Sequence, residues 1–136
     1  MALELTNDVG IVLLVARVLI GGTLAFMGLN HFMDVDGMAG YAASKGVPAP
    51  SLAVVFSGGQ LAAGGLAVVF GIYPALGAGA LALFFVVVTP MMHDFWTVDD
   101  PEQQQQEMTH FLKNVALLGA SLTLLVLAGA EWPYAV

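Results

Sequence analysis

Four long apolar runs govern what this chain can fold into. They extend over about 9–30, 51–70, 73–89 and 111–128, each roughly 17–22 residues. At 1.5 Å of rise per residue that is about 25–33 Å of helix, the thickness of a ~30 Å hydrocarbon core. The second and third runs are separated only by "GIYP" (71–74), which predicts an antiparallel helical hairpin. The fourth is preceded by "DDPEQQQQE", which reads as a helix start. Asp100 suits the N-cap, Pro101 the first helical position, and Glu102 the positive end of the helix dipole. That helix therefore begins in water at about 101 and runs through the bilayer to about 129. The expected fold is an all-α integral membrane four-helix bundle. It forms a single transmembrane domain over 1–136, with helices at about 9–30, 51–70, 73–89 and 101–129.

Composition points the same way. Apolar residues make up 59% of the 136-residue chain and charged residues 10%, and mean hydropathy is +0.87. A soluble domain carries about 25% charged residues, so the deficit excludes a water-soluble core. With no cysteine, disulfides, thiolate metal sites and dithiol redox chemistry are excluded. The N-terminal "MALELTND" has two acids and no base, unlike a cleaved signal peptide, whose start is positively charged. The formal net charge of −7 disfavours nucleic acid as a partner. That acid excess is expected of a high-salt organism, or else of acidic, solvated loops alone.

The connections differ in kind. Residues 31–50, "HFMDVDGMAGYAASKGVPAP", are polar; "GYAASK" suits a short interfacial helix, broken by "GVPAPS", with Ser51 capping the next span. Four spans place both termini on one side of the membrane and the 31–50 and 90–110 segments on the other. Lys45 and Lys113 then favour a cytoplasmic position for those two segments. Small residues four apart (Gly58/Ala62, Gly59/Ala63, Ala75/Gly79, Ala116/Ala120) predict close helix packing within the bundle, or a homodimer face.

Two of the three Lys and Arg residues, Arg17 and Lys113, fall inside apolar runs. An arginine in a span is expensive and should face the interior. Arg17, Gly21, Leu24, Gly28 and His31 recur at spacings of three and four and share one helix face, as do Ser57, Gln60 and Gly64. Arg17 is thus expected near mid-span within reach of Gln60. It serves either a packing network with carbonyls or a polar cavity for an anionic or carbonyl-bearing ligand. His31, His93 and His110 are expected at one end of the bundle with Asp94, Lys113 and six of the seven methionines. Gln106, His110, Lys113, Asn114 and Leu117 share a face of the last helix, and Lys113, snorkelling upward, is expected to pair with Asp94. No HxxxH or HxxE spacing supports a metal site. Walker, dinucleotide-binding, GxSxG and HExxH motifs are absent.

The segments "ARVLIGGTLAFMGLNHF" (16–32), "GMAGYAASKGVPAPSLAV" (37–54), "GGQLAAGGLAVVFG" (58–71), "HDFW" (93–96) and "HFLKNVALLGASL" (110–122), in that order, resemble the DoxX family of small four-helix membrane proteins. The resemblance matches Arg17 to the family's first-helix arginine and His31 to its "GxxHF" end. It matches His93 and Asp94 to the polar pair after the third span, and Lys113 and Asn114 to the "KN" opening the last. Gln60 stands where many members carry a carboxylate. Relatives are linked to thiosulfate:quinone oxidoreduction and other membrane redox assemblies. The resemblance implies an accessory, quinone-linked redox subunit rather than a stand-alone enzyme. Its ligand would be quinone or lipid, held by Arg17, His31, Gln60, His93, Asp94, His110, Lys113 and Asn114. Redox-enzyme subunits, the lipid bilayer and a second copy of the chain are the expected partners. A structural or partner-binding module without a ligand is the alternative, and a metal-dependent membrane enzyme the least favoured.

Overall fold

The computed structural model describes residues 7–136; most of the acidic N-terminal stretch lies outside them. The described chain is helical throughout its spans: α1 (Asn7–Met33), α2 (Val35–Ser44), α3 (Pro50–Phe70), α4 (Pro74–Met92) and α5 (Pro101–Leu127), with a 3₁₀ turn at Phe95–Thr97. α1, α3, α4 and α5 are each long and apolar enough to cross a membrane, so the expected all-α membrane architecture holds. α4 runs past its predicted end at 89, with an exposed Pro90 inside its last turn. There the proline removes one ladder hydrogen bond without breaking the helix.

Helix ends follow local chemistry with one exception. Asp100 caps α5 as its sequence requires, accepting from Gln103 N at 3.1 Å ahead of Pro101. The short interfacial helix exists, starting earlier than "GYAASK", where Asp34 accepts from Gly37 N at 3.2 Å. Ser51, however, does not cap α3. The N-cap is Ala49, left-handed at φ 45, and Pro50 opens the helix. The same device opens α4, where Tyr73 at φ 45 precedes Pro74. A proline at the first helical position needs no N–H partner and fixes its own φ, so these helices start without a side-chain cap.

The spans pack in chain order, α1 on α3, α3 on α4 and α4 on α5. Among the described residues, no seam of comparable extent joins α5 back to α1. Glycines set the tightest contact. A Cβ on Gly28 would lie 2.6 Å from Gly58 O and from Ala62 N, and one on Gly21 would lie 2.5 Å from Gly65 O. Backbone approach this close is how helices gain packing energy in lipid, where the hydrophobic effect gives none. Gly58 and Ala62 from the sequence pattern take part, whereas Gly59 and Gly79 face open space. The predicted α1 face is the buried one, with Arg17, Gly21, Leu24 and Gly28 all buried and His31 half-buried. Leu61, Val68, Ala78, Leu81 and Phe85 form the centre of the core.

Candidate functional site

Polar side chains gather at the two ends of the bundle, and the ends differ in what they can do. At the end formed by the α3–α4 turn and the chain segment after α5, Arg17 is fully buried. A helix leaves its last four carbonyls without intrahelical partners, and α3 accounts for all of its own. Ala67 O accepts from Gly71 N at the left-handed C-cap. Val68 O accepts from Arg17 Nε at 3.1 Å and Val69 O from Arg17 Nη2 at 2.8 Å. Phe70 O accepts from Val136 N at 2.9 Å. The other side of the guanidinium donates to Pro133 O at 2.7 Å and Tyr134 O at 3.4 Å, with its carbon 5.1 Å from the Trp132 ring centroid. Arg17 thus faces α3 as its periodicity predicts, but it meets backbone carbonyls near the helix end. It does not meet Gln60 near mid-span. Gln60 instead donates to Ala80 O at 2.8 Å, tying α3 to α4.

The opposite end carries the titratable groups. Glu107 on α5 is buried and accepts from the Tyr41 hydroxyl of α2 at 3.0 Å. Its other oxygen lies 2.8 Å from His93 Nδ1 at the end of α4. Tyr41 Oη also donates to Met92 O at 3.4 Å. A carboxylate on Nδ1 fixes the imidazole tautomer and leaves Nε2 as the working nitrogen. The His93 ring stacks on His110, centroids 5.2 Å apart. Beside this pair, Phe95, Trp96 and Phe111 meet edge to face at 5.3–5.8 Å, and Trp96 is exposed. The Tyr41 hydroxyl is held above its ordinary pKa, first by withdrawal from water and then by its hydrogen bond to Glu107.

Asp94 is paired, though with a different lysine from the one expected. Lys45 at the end of α2 donates to Asp94 Oδ1 at 2.7 Å and lies 5.7 Å from the Tyr41 ring centroid. Thr97 Oγ1 donates to Asp94 Oδ2 at 3.0 Å. The Asp94 hydrogen bond holds the Lys45 ammonium above its ordinary pKa. Lys113 is exposed and makes no ion pair among the described residues. The cause is the rotation of α5. Its buried stripe is Glu107, Asn114, Ser121 and Leu124, whereas Gln106, His110 and Lys113 are exposed. Of the predicted face, Asn114 is buried and Leu117 partly so. His31 stays apart from the Glu107 group. Its Nδ1 is 3.3 Å from Ser57 Oγ, whose own proton goes to Val54 O, and its ring is 6.4 Å from Phe84.

His93, Asp94 and His110 therefore come together, while Arg17, His31, Gln60 and Lys113 each have separate surroundings. Glu107 and Tyr41 were not anticipated from sequence. Glu107 had a usable signal, since Glu107, Asn114 and Ser121 recur every seven residues and so share one stripe of α5. Tyr41 had none. Among the described residues, no three His, Asp or Glu side chains lie close enough to hold a metal ion.

The DoxX family matches residues 12–94, which span α1 through the end of α4. The chain belongs to the DoxX family. It is also similar to the inner membrane protein YphA of Escherichia coli (strain K12), with 28% identity over 117 residues covering 85% of this chain and 82% of that protein. No solved structure matches it. The match to an inner membrane protein agrees with the four apolar spans, and this DoxX protein is a multi-pass membrane protein. Glu107 lies beyond the matched segment, on α5.

Proposed function

We propose that this DoxX protein is an accessory subunit of a quinone-linked membrane redox assembly. Its ligand site is the Glu107–His93 pair at the end of the bundle formed by α2, α4 and α5. The observation that supports this reading is the buried carboxylate holding His93 by Nδ1 at 2.8 Å. Quinone chemistry moves protons together with electrons, and an imidazole oriented by a carboxylate is placed to exchange a proton with a ring oxygen. The rings of Phe95, Trp96 and Phe111 supply an aromatic edge on which a flat headgroup can lie. The chain has no cysteine and so no dithiol or thiolate metal centre of its own, and this reading assigns the supply of electrons to a partner subunit.

The reading is tested with the Trp132→Phe protein in nanodiscs, in which Trp96 is the one tryptophan left, titrated with a short-tailed 1,4-benzoquinone while its fluorescence is followed. Saturable quenching is expected, weakened at least tenfold by His93→Phe and by Glu107→Gln. Quenching that never saturates, or that both variants leave unchanged, refutes the assignment. One observation favours a purely structural role for part of the predicted ligand set. Arg17 and Asp94 have their hydrogen-bonding groups engaged within the protein, so they stabilise the two ends of the bundle without contacting a ligand.

A further inference from the structure

One turn below His93 on the same buried face of α4 lies Thr89, 4% exposed. Its hydroxyl is a buried side-chain polar atom with no hydrogen-bond partner among the described residues. A hydroxyl in a helix within lipid ordinarily bonds the carbonyl four residues back. Thr109, Ser121 and Thr123 of this protein each do so, at 2.8–2.9 Å. Thr89, buried almost as deeply as Ser121, does not. Across the α4–α5 seam, Asn114 is 4% exposed, two turns below Glu107 on the same stripe of α5. An unpaired buried hydroxyl is costly, so its retention in an apolar span calls for a partner.

We propose that Thr89 is a second oxygen-binding position that makes the site specific for a ring carrying oxygens at opposite ends. This rests on the reading of Glu107 and His93 given above. The first ligand oxygen meets His93 at the rim, and the second meets Thr89 deeper in the bilayer. Thr89 and His93 are four residues apart, about 6 Å along α4 at 1.5 Å per residue, a spacing of the order of that between the para oxygens of a six-membered ring. A hydroxyl serves both redox forms, donating to a quinone carbonyl and accepting from a quinol hydroxyl.

The test is calorimetric titration of the protein in nanodiscs, with empty nanodiscs as the blank, using a 2-alkylhydroquinone and the 3-alkylphenol of equal tail length. The wild-type protein should bind the hydroquinone about tenfold or more tighter than the phenol, the equivalent of one hydrogen bond at about 1.4 kcal/mol. Thr89→Val, which conserves volume, should bring the hydroquinone down to the affinity of the phenol and leave the phenol unchanged. Thr89→Ser should keep the preference, and His93→Phe should weaken both compounds. Equal binding of the two compounds to the wild-type protein, or a preference that survives Thr89→Val, overturns this inference while the Glu107–His93 reading stands. Binding of neither compound overturns both.

Discussion

Replacing Arg17 with methionine tests the account of the end opposite the His93 site. Methionine keeps an unbranched apolar stem in the same space and removes the guanidinium. Three well-formed bonds from the charged group, at 2.7–3.1 Å to Pro133, Val69 and Val68, are lost, along with a longer one to Tyr134. At about 1.5–3 kcal/mol for each bond to a charged group, the three are worth about 4.5–9 kcal/mol. Against that stands the desolvation of a fully buried cation, several kcal/mol after relaxation, which methionine does not incur. The net expectation is a loss of about 2–4 kcal/mol, measured by urea unfolding in detergent micelles. Two bonds go to the segment after α5, so that segment should also come loose. A cysteine introduced at Tyr134 should react faster with a soluble maleimide in the Arg17→Met background. Arg17→Lys, with one ammonium in place of a planar fork, should recover only part of the stability. A change below about 0.5 kcal/mol, within the usual range for a neutral surface substitution, with no gain in labelling, would show that the carbonyls do not depend on Arg17.

The lysine exchange at Asp94 gives a second test. Lys45→Met and Asp94→Asn should couple by roughly 1 kcal/mol in a double-mutant cycle, since the pair is only partly buried, while Lys113→Met should add independently to Asp94→Asn. The same pair sets an alkaline limit. The folded pKa of Lys45 is raised, so its stabilisation is complete below the ordinary lysine value near about 10.4. It is lost as pH rises through the higher folded value, and the alkaline unfolding curve of Lys45→Met should lack that loss. Gly65→Ala should destabilise the protein by about 1–3 kcal/mol, because its new methyl meets Gly21 O and lies 2.8 Å from Ala25 N. Gly22→Ala, with nothing within 4 Å of the added carbon, should be neutral or gain up to about 1 kcal/mol in helix propensity; thermal melts in micelles separate the two.

What the chain determines by itself is local. Four apolar runs of bilayer length fix the spans, because in lipid a backbone must satisfy its own hydrogen bonds and a helix does so within one segment. Asp100 followed by Pro101 starts α5, and the spacing of Arg17, Gly21, Leu24 and Gly28 marks the inner face of α1. Ser51 failed as a cap because Ala49 and Pro50 start α3 one residue earlier in a strained turn. Tertiary structure decided the partners. Arg17 binds carbonyls, which every residue carries, so no side-chain type along the chain designates them. Asp94 had two lysines within plausible reach, and the return of α2 over the end of α4 selected Lys45. The face of α5 was misjudged because its polar residues lie on two sides, Gln106, His110 and Lys113 outside and Glu107 and Asn114 inside, so polarity alone does not mark the inner face. A rotation of about 100° per residue separates Lys113, outside, from Asn114, inside, and only contact with α4 sets it.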